Sequence, residues 1–330
     1  MANKQDAYLC LTAMLRVRET RLLTAEKAQR MLDAPSFEEA AKLLTDCGYP
    51  DMAQSRADEI EAVLAKRRDD AFTELSGLAP DKAIVTAFRV KYDYHNVKAV
   101  LKAEALGHEP ERLLTRSGRL APEALLSAYR EGRYADLPNT LGKAMEEARG
   151  VLARTANPQL ADLILDEACF AEMKAAAEEA DCPFLAGYVR LLIDSTNLKS
   201  AVRTLRMHKD ADFLQRVLLE GGEVSPARIA AAGDREALAA LFQNGKLAHA
   251  AALGAEAAAG ASQTAFERAC DNAVNAYLRD AKLVGFGSEP LVAYLAAVEG
   301  ELTAVRMILT GRLAGIAPET ILERLHDLYA

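Results

Sequence analysis

The sequence predicts an all-α protein, and three observations carry that expectation. Ala, Leu, Glu and Arg abound while β-branched residues are comparatively sparse, which favours helix over strand. Apolar residues recur at three- and four-residue spacing along most of the chain, the pattern of helices that bury one face. A short motif also returns about every hundred residues. It reads Asp93-x-x-Asn96-Val97-Lys98, then Asp194-x-x-Asn197-Leu198-Lys199, then more loosely Glu301-x-x-Ala304-Val305-Arg306.

Taken in order, residues 5–23 read as a helix with Tyr8, Leu11, Leu15, Leu22 and Leu23 on its apolar side. Thr24 is an N-cap for the next helix, Pro35-Ser36 breaks it, and Ser36 with Glu38 and Glu39 starts another that Gly48-Tyr49-Pro50 ends. A long pattern over 54–76 contains Lys66-Arg67-Arg68, read as a charge-mixed exposed stretch. From Pro80-Asp81 a long helix runs through the first motif to Leu106-Gly107. Gly118-x-Leu120-x-Pro122 then opens a helix at 123–129, and two more follow, after Pro138 and from Asn157-Pro158 to Ala180. The same order restarts at Pro183. The second motif is followed by Gly222-x-Val224-x-Pro226 and a helix over 227–232, because proline is tolerated where the first-turn N–H has no intrahelical partner. Gly233-Asp234 starts another helix, and the Ala-rich 248–261 reads as a closely packed one broken by Gly254 and Gly260, with a poorly ordered surface piece as the alternative. Gly315-Ile316-Ala317-Pro318 leads a shorter copy over 319–328, and Leu22-Leu23-Thr24-Ala25-Glu26 opens a similar unit.

Common helical solenoids repeat every ~33–47 residues. Units of about a hundred residues, two to three times longer, with a partial unit at each end, predict instead a closed body of three similar sectors related by a pseudo-threefold repeat. The expected division is 1–79 with 288–330, closed by both termini, then 80–182 and 183–287.

On a helix, each motif acid lies at the head of an apolar stripe: Asp93 with Val97 and Leu101, Asp194 with Leu198 and Val202, Glu301 with Val305 and Leu309. Asn96 and Asn197 lie beside the acid, while Lys199 and Arg203 share another face. A half-buried carboxylate needs donors, so the bland expectation is that these groups cap or brace neighbouring helices. The alternative is that some line a surface that grips a partner.

The net charge of −8 among 330 residues argues against a nucleic-acid partner, which requires a basic field. Five scattered cysteines without a C-x-x-C pair argue against a disulfide framework or zinc site and fit a reducing cytoplasm. No long apolar run predicts a membrane span, and the residues after Met1 lack the apolar core of a leader peptide. The five histidines form no metal-binding pair, and His95, inside the first motif, reads as an exposed helix residue. No phosphate-binding loop, dinucleotide fingerprint or nucleophile elbow occurs, so neither a nucleotide nor a cofactor is expected.

Several stretches in order carry a family resemblance. They are Leu15-Arg16-Val17-Arg18 with Leu22-Leu23, Tyr92-Asp93-x-x-Asn96-x-Lys98, Ile193-Asp194-x-x-Asn197-Leu198-Lys199 with Arg203, and Gly221-Gly222. Near the end come Glu289-Pro290-Leu291-Val292-Ala293-Tyr294-Leu295, Glu299-x-Glu301, Val305-Arg306 and Gly311-Arg312. Together they resemble the C subunit of the bacterial and archaeal V/A-type rotary ATPases, the counterpart of the eukaryotic d subunit. The resemblance implies a funnel-like, non-catalytic central-stalk protein on the cytoplasmic face of the membrane. There it would be a socket between the central shaft subunits and the ion-carrying membrane ring. On that reading the bases Arg16, Arg18, Lys98, Lys199, Arg203 and Arg306 are expected near the funnel interior. Ala304 departs from the pattern, which has Asn there. A helical-repeat scaffold for another cytoplasmic protein is the competing expectation.

Overall fold

Helix starts are set by side chains that accept otherwise unpaired backbone N–H groups. In the computed structural model, which describes residues 5–330, every regular element is helical. They are α1 Leu9–Glu19, α2 Ala25–Asp33, α3 Phe37–Lys42, α4 Ala57–Leu78, α5 Lys82–Leu106, α6 Pro122–Glu131, α7 Asn139–Thr155 and α8 Pro158–Glu179. There follow α9 Pro183–Arg206, α10 Ala211–Val217, α11 Pro226–Ala230, α12 Arg235–Phe242, α13 Ala248–Ala258, α14 Gln263–Arg279, α15 Ser288–Leu313 and α16 Pro318–Arg324. Met1–Lys4, part of the stretch read against a leader peptide, lie outside the described residues. The caps are those the sequence offers: Thr24 accepts from Lys27 N at 3.2 Å, Asp81 from Ala83 N at 3.1 Å and Asn157 from Gln159 N at 3.0 Å. Proline opens α6, α8, α9, α11 and α16.

The motif lies on α5, α9 and α15, which run for 25, 24 and 26 residues. These three meet at the centre. The rings of Phe88 on α5 and Tyr188 on α9 stack at 5.5 Å, and Tyr92 Oη on α5 donates to Glu299 on α15 at 2.8 Å. Among its neighbours each motif helix has a long helix that follows the same order: α5 packs on α8, α9 on α14, and α15 on α4, while α9 also packs on α8 and α5 on α4. Breaks in the chain fall between α4 and α5, between α8 and α9, and ahead of α15.

Three local expectations need correcting. Gly254 does not break α13 but sits buried within it; a Cβ there would meet Val202 Cγ2 at 2.9 Å and Phe266 Cε2 at 3.0 Å. The glycine lets α13 approach α9 and α14 closely. The last helix ends at Arg324 rather than continuing to Leu328, and the side chains of Leu328 and Tyr329 pack into the core as non-helical chain. Of Lys66-Arg67-Arg68 only Lys66 is exposed; Arg67 turns inward to Glu301 and Arg68 to the Ser117 hydroxyl.

Candidate functional site

Among the described residues the buried carboxylates are Asp93, Asp194 and Glu301, the three motif acids, at 0%, 4% and 2% exposure. The helical pattern suggests only half-burial for them, because periodicity cannot register the loops that cover them. Each loop is held in the same way. Leu120 N donates to Asp93 at 3.2 Å, Val224 N to Asp194 at 3.2 Å and Leu23 N to Glu301 at 2.6 Å. In every case the donor stands two residues before the first helical residue: Pro122, Pro226 or Ala25. The carboxylate thus receives a backbone N–H that burial would otherwise leave unpaired.

The glycines of these loops follow from the length of the acid. A Cβ on Gly118 would stand 2.2 Å from Asp93 Oδ1, and a Cβ on Gly222 would stand 2.2 Å from Asp194 Oδ1. The short aspartate draws the loop backbone against it, and only glycine fits. The corresponding residue before Leu23 is Arg21, exposed, facing a glutamate that reaches one methylene further.

The amides make a second clamp. Asn96 Nδ2 donates to Thr115 O and Thr115 N to Asn96 Oδ1, both at 2.8 Å. Asn197 does the same with Leu219, again at 2.8 Å in both directions. Thr115 and Leu219 are non-helical, so their backbone groups need partners. The matching residue before Leu23 is Arg18, inside α1, where helical hydrogen bonding supplies them. Ala304 is therefore sufficient on α15, and Glu301 keeps its polar role without the amide.

The motif bases all reach acids of this chain. Lys98 pairs with Asp166 at 2.6 Å, Lys199 with Asp271 at 2.6 Å, and Arg306 with Glu61 at 2.9 Å. These acids lie on α8, α14 and α4, the long helices packed against each motif helix. Arg203 is more exposed and stands 3.7 Å from Glu267. Arg16 donates to Glu19 at 2.8 Å and to the carbonyls of Ala281 and Val284 at 2.7 and 2.9 Å, and Arg18 forms a two-point pair with Glu74.

What the sequence did not reveal is how each acid is neutralised. Arg119 Nε donates to Asp93 at 2.6 Å and its other end reaches Glu172. Arg67 Nη2 and Tyr49 Oη donate to Glu301 at 2.8 and 2.7 Å, with the Arg67 guanidinium over the Tyr49 ring. Burial first, then Glu301, pushes the Tyr49 hydroxyl above its ordinary pKa. Asp93 is raised by burial against the opposing pull of Arg119, and Asp194 by burial against the N–H groups of Glu223 and Val224. No spacing rule links Arg67 to Glu301 across 234 residues. Only the loop position of Arg119, beside Leu120, could have hinted at its role.

His95 is exposed, and no group of three His, Cys, Asp or Glu among the described residues could hold a metal ion. Nor is any described helix long and apolar enough to cross a membrane. The arrangement joins loops to helices and helices to one another.

Comparison with known proteins fits that arrangement. The profile of the ATP synthase (C/AC39) subunit family matches residues 11–324. The chain belongs to this family. Along 98% of its length it is similar to the C subunit of the V-type sodium ATPase of Enterococcus hirae, 24% identical and covering 99% of that protein. It is 24% identical to the C subunit of the A-type ATP synthase of Methanocaldococcus jannaschii, over 95% of this chain and 85% of that one. It is 28% identical to the C subunit of the V-type ATP synthase of Thermus thermophilus, over 60% of this chain and 63% of the relative. In this family member Gly311-Arg312 has a structural reason. A Cβ on Gly311 would meet Ile321 Cδ1 at 2.7 Å, and Arg312 donates to the carbonyls of Leu32 and Ala34 at the end of α2.

Proposed function

We propose that this chain is a central-stalk rotor subunit of a V/A-type ATPase or ATP synthase. It would be a non-catalytic socket that couples the central shaft subunits of the soluble motor to the membrane rotor ring. The end-to-end similarity to the C subunit of a V-type sodium ATPase carries this reading. In it the protein lies at the cytoplasmic face of the membrane and transmits torque for proton or sodium transport.

The fold proposal that accompanies it is a funnel-like body of three sectors: 1–79 with 288–330, 80–182 and 183–287. It is supported by the repeated loop clamps on Asp93, Asp194 and Glu301, and by the repeated ion pairs of Lys98, Lys199 and Arg306. The clamps brace each loop to its motif helix, and the ion pairs brace that helix to its long neighbour. A rotor part must carry load through contacts with one discrete arrangement, and buried, hydrogen-bonded polar groups supply such contacts. Arg203, the most exposed of these bases, is proposed as a partner-facing group, and Arg16 and Arg18, held by Ala281, Val284 and Glu74, as bracing groups.

Affinity capture of the tagged chain from detergent-solubilised membranes tests the function. Co-recovery of shaft and ring subunits is expected. Their consistent absence, with the chain itself recovered intact, would contradict it.

A further inference from the structure

Asp93 and Glu301 each meet an arginine of this chain, but Asp194 does not. Its hydrogen-bond donors are the backbone N–H groups of Glu223 and Val224, at 3.0 and 3.2 Å. The difference lies in matched positions. The residue before the clamping N–H is Arg119 in one loop and Glu223 in the other. On the long partner helices, six residues beyond Glu61, Asp166 and Asp271, stand Arg67, Glu172 and Tyr277. Arg67 neutralises Glu301 from that helix, and Glu172 steadies Arg119. At Asp194 the two sources of positive charge are replaced by an acid and a phenol.

The vacated region is a pocket of about 510 Å³, lined by Asp194, Glu223, Arg190, Arg228, Lys246 and Tyr277 among others. The Tyr277 hydroxyl is spent on Phe184 O at 2.8 Å and offers Asp194 no proton. Arg190, one turn before Asp194, is exposed; its charge favours the ionised carboxylate, against the larger effect of burial, but it makes no hydrogen bond to Asp194, and Arg228 is exposed too. Lys246 stands 3.6 Å from Asp280. The pocket thus has the buried Asp194 at its base, and exposed charges at its mouth, where the bases Arg190, Arg228 and Lys246 outnumber Glu223.

We infer that this pocket receives an arginine side chain from a partner protein. That arginine completes at Asp194 the ion pair that Arg119 and Arg67 make within the chain. A buried carboxylate favours arginine, whose planar fork is less strongly hydrated than an ammonium group. The bases at the mouth favour acidic residues flanking it. The partner is a segment with an arginine between acids, and the contact goes beyond the rotor reading because it follows from this chain's own charges.

The probes are the capped tripeptide Glu-Arg-Glu and its norleucine counterpart, titrated into the full chain while the amide resonances of Glu223 and Val224 are followed. The arginine peptide should shift both saturably, and the norleucine peptide should not. The shifts should vanish in Asp194→Asn, whose fold is checked by thermal melting. Glu223→Arg, which restores a cation at the position of Arg119, should raise the melting temperature and block the arginine peptide. An absent shift, an equal shift with norleucine, persistence in Asp194→Asn, or a Glu223→Arg protein that melts no higher and still binds the peptide would overturn the inference.

Discussion

At the residue scale the fold turns on three carboxylates with unequal support. Asp93→Ala takes the acceptor from Arg119 Nε and from the Leu120 N–H; Glu172 still faces the guanidinium, so the loss lies towards the lower end of the ~3–5 kcal/mol that removing one partner of a buried pair costs. Asp194→Ala leaves two backbone N–H groups unpaired, at ~1–3 kcal/mol. Urea unfolding should therefore place Asp93→Ala below Asp194→Ala, and both below the parent. The opposite order would contradict the ion-pair assignment. Gly118→Ala and Gly222→Ala should each destabilise by ~1–3 kcal/mol, since the added methyl group meets a carboxylate held in the core. Arg21→Ala at the matching position should be nearly silent. Burial holds the Asp194 pKa above its ordinary value, so the folded state retains that proton more tightly than the unfolded chain. Its contribution is therefore favourable below the usual aspartate range and is lost as pH rises through the folded pKa. The parent should lose stability relative to Asp194→Asn as pH rises above the ordinary aspartate pKa of about 3.9. A constant difference across paired melts would show that the two N–H bonds offset burial.

At the scale of elements, most helices were legible because their signals are local. Asp81, Asn157 and the prolines of α6, α9 and α11 mark starts that need no tertiary information. The motif and its following Gly-x-x-x-Pro turn were equally plain, since both lie within one stretch of chain. What escaped was whatever depends on distant packing. Arg67 looked like part of an exposed basic run, yet it crosses to Glu301 on α15. Gly254 looked like a breaker because glycine weakens isolated helices; the closeness of Val202 and Phe266 accounts for it instead. Gly254→Val should cost ~1–3 kcal/mol by over-packing despite the loss of a glycine from a helix. A melting temperature equal to the parent's would mean that α13 can move away from α9 and α14 without penalty.

At the scale of the whole molecule, the central fact is that three long helices meet one another and each carries a buried acid clamping a loop. Glu299 ties α15 to α5, and Phe88 with Tyr188 ties α5 to α9. A body joined this way resists twisting of one part against another, which is the property the proposed socket needs. Its partners leave no trace in composition or spacing, so the functional reading rests on family membership. The most direct test is ATP-driven ion transport in membrane vesicles depleted of this chain and then resupplied with it. Transport should be lost on depletion while ATP hydrolysis by the soluble motor persists, and it should return with the purified chain. Transport that continues undiminished without the chain would contradict the coupling role.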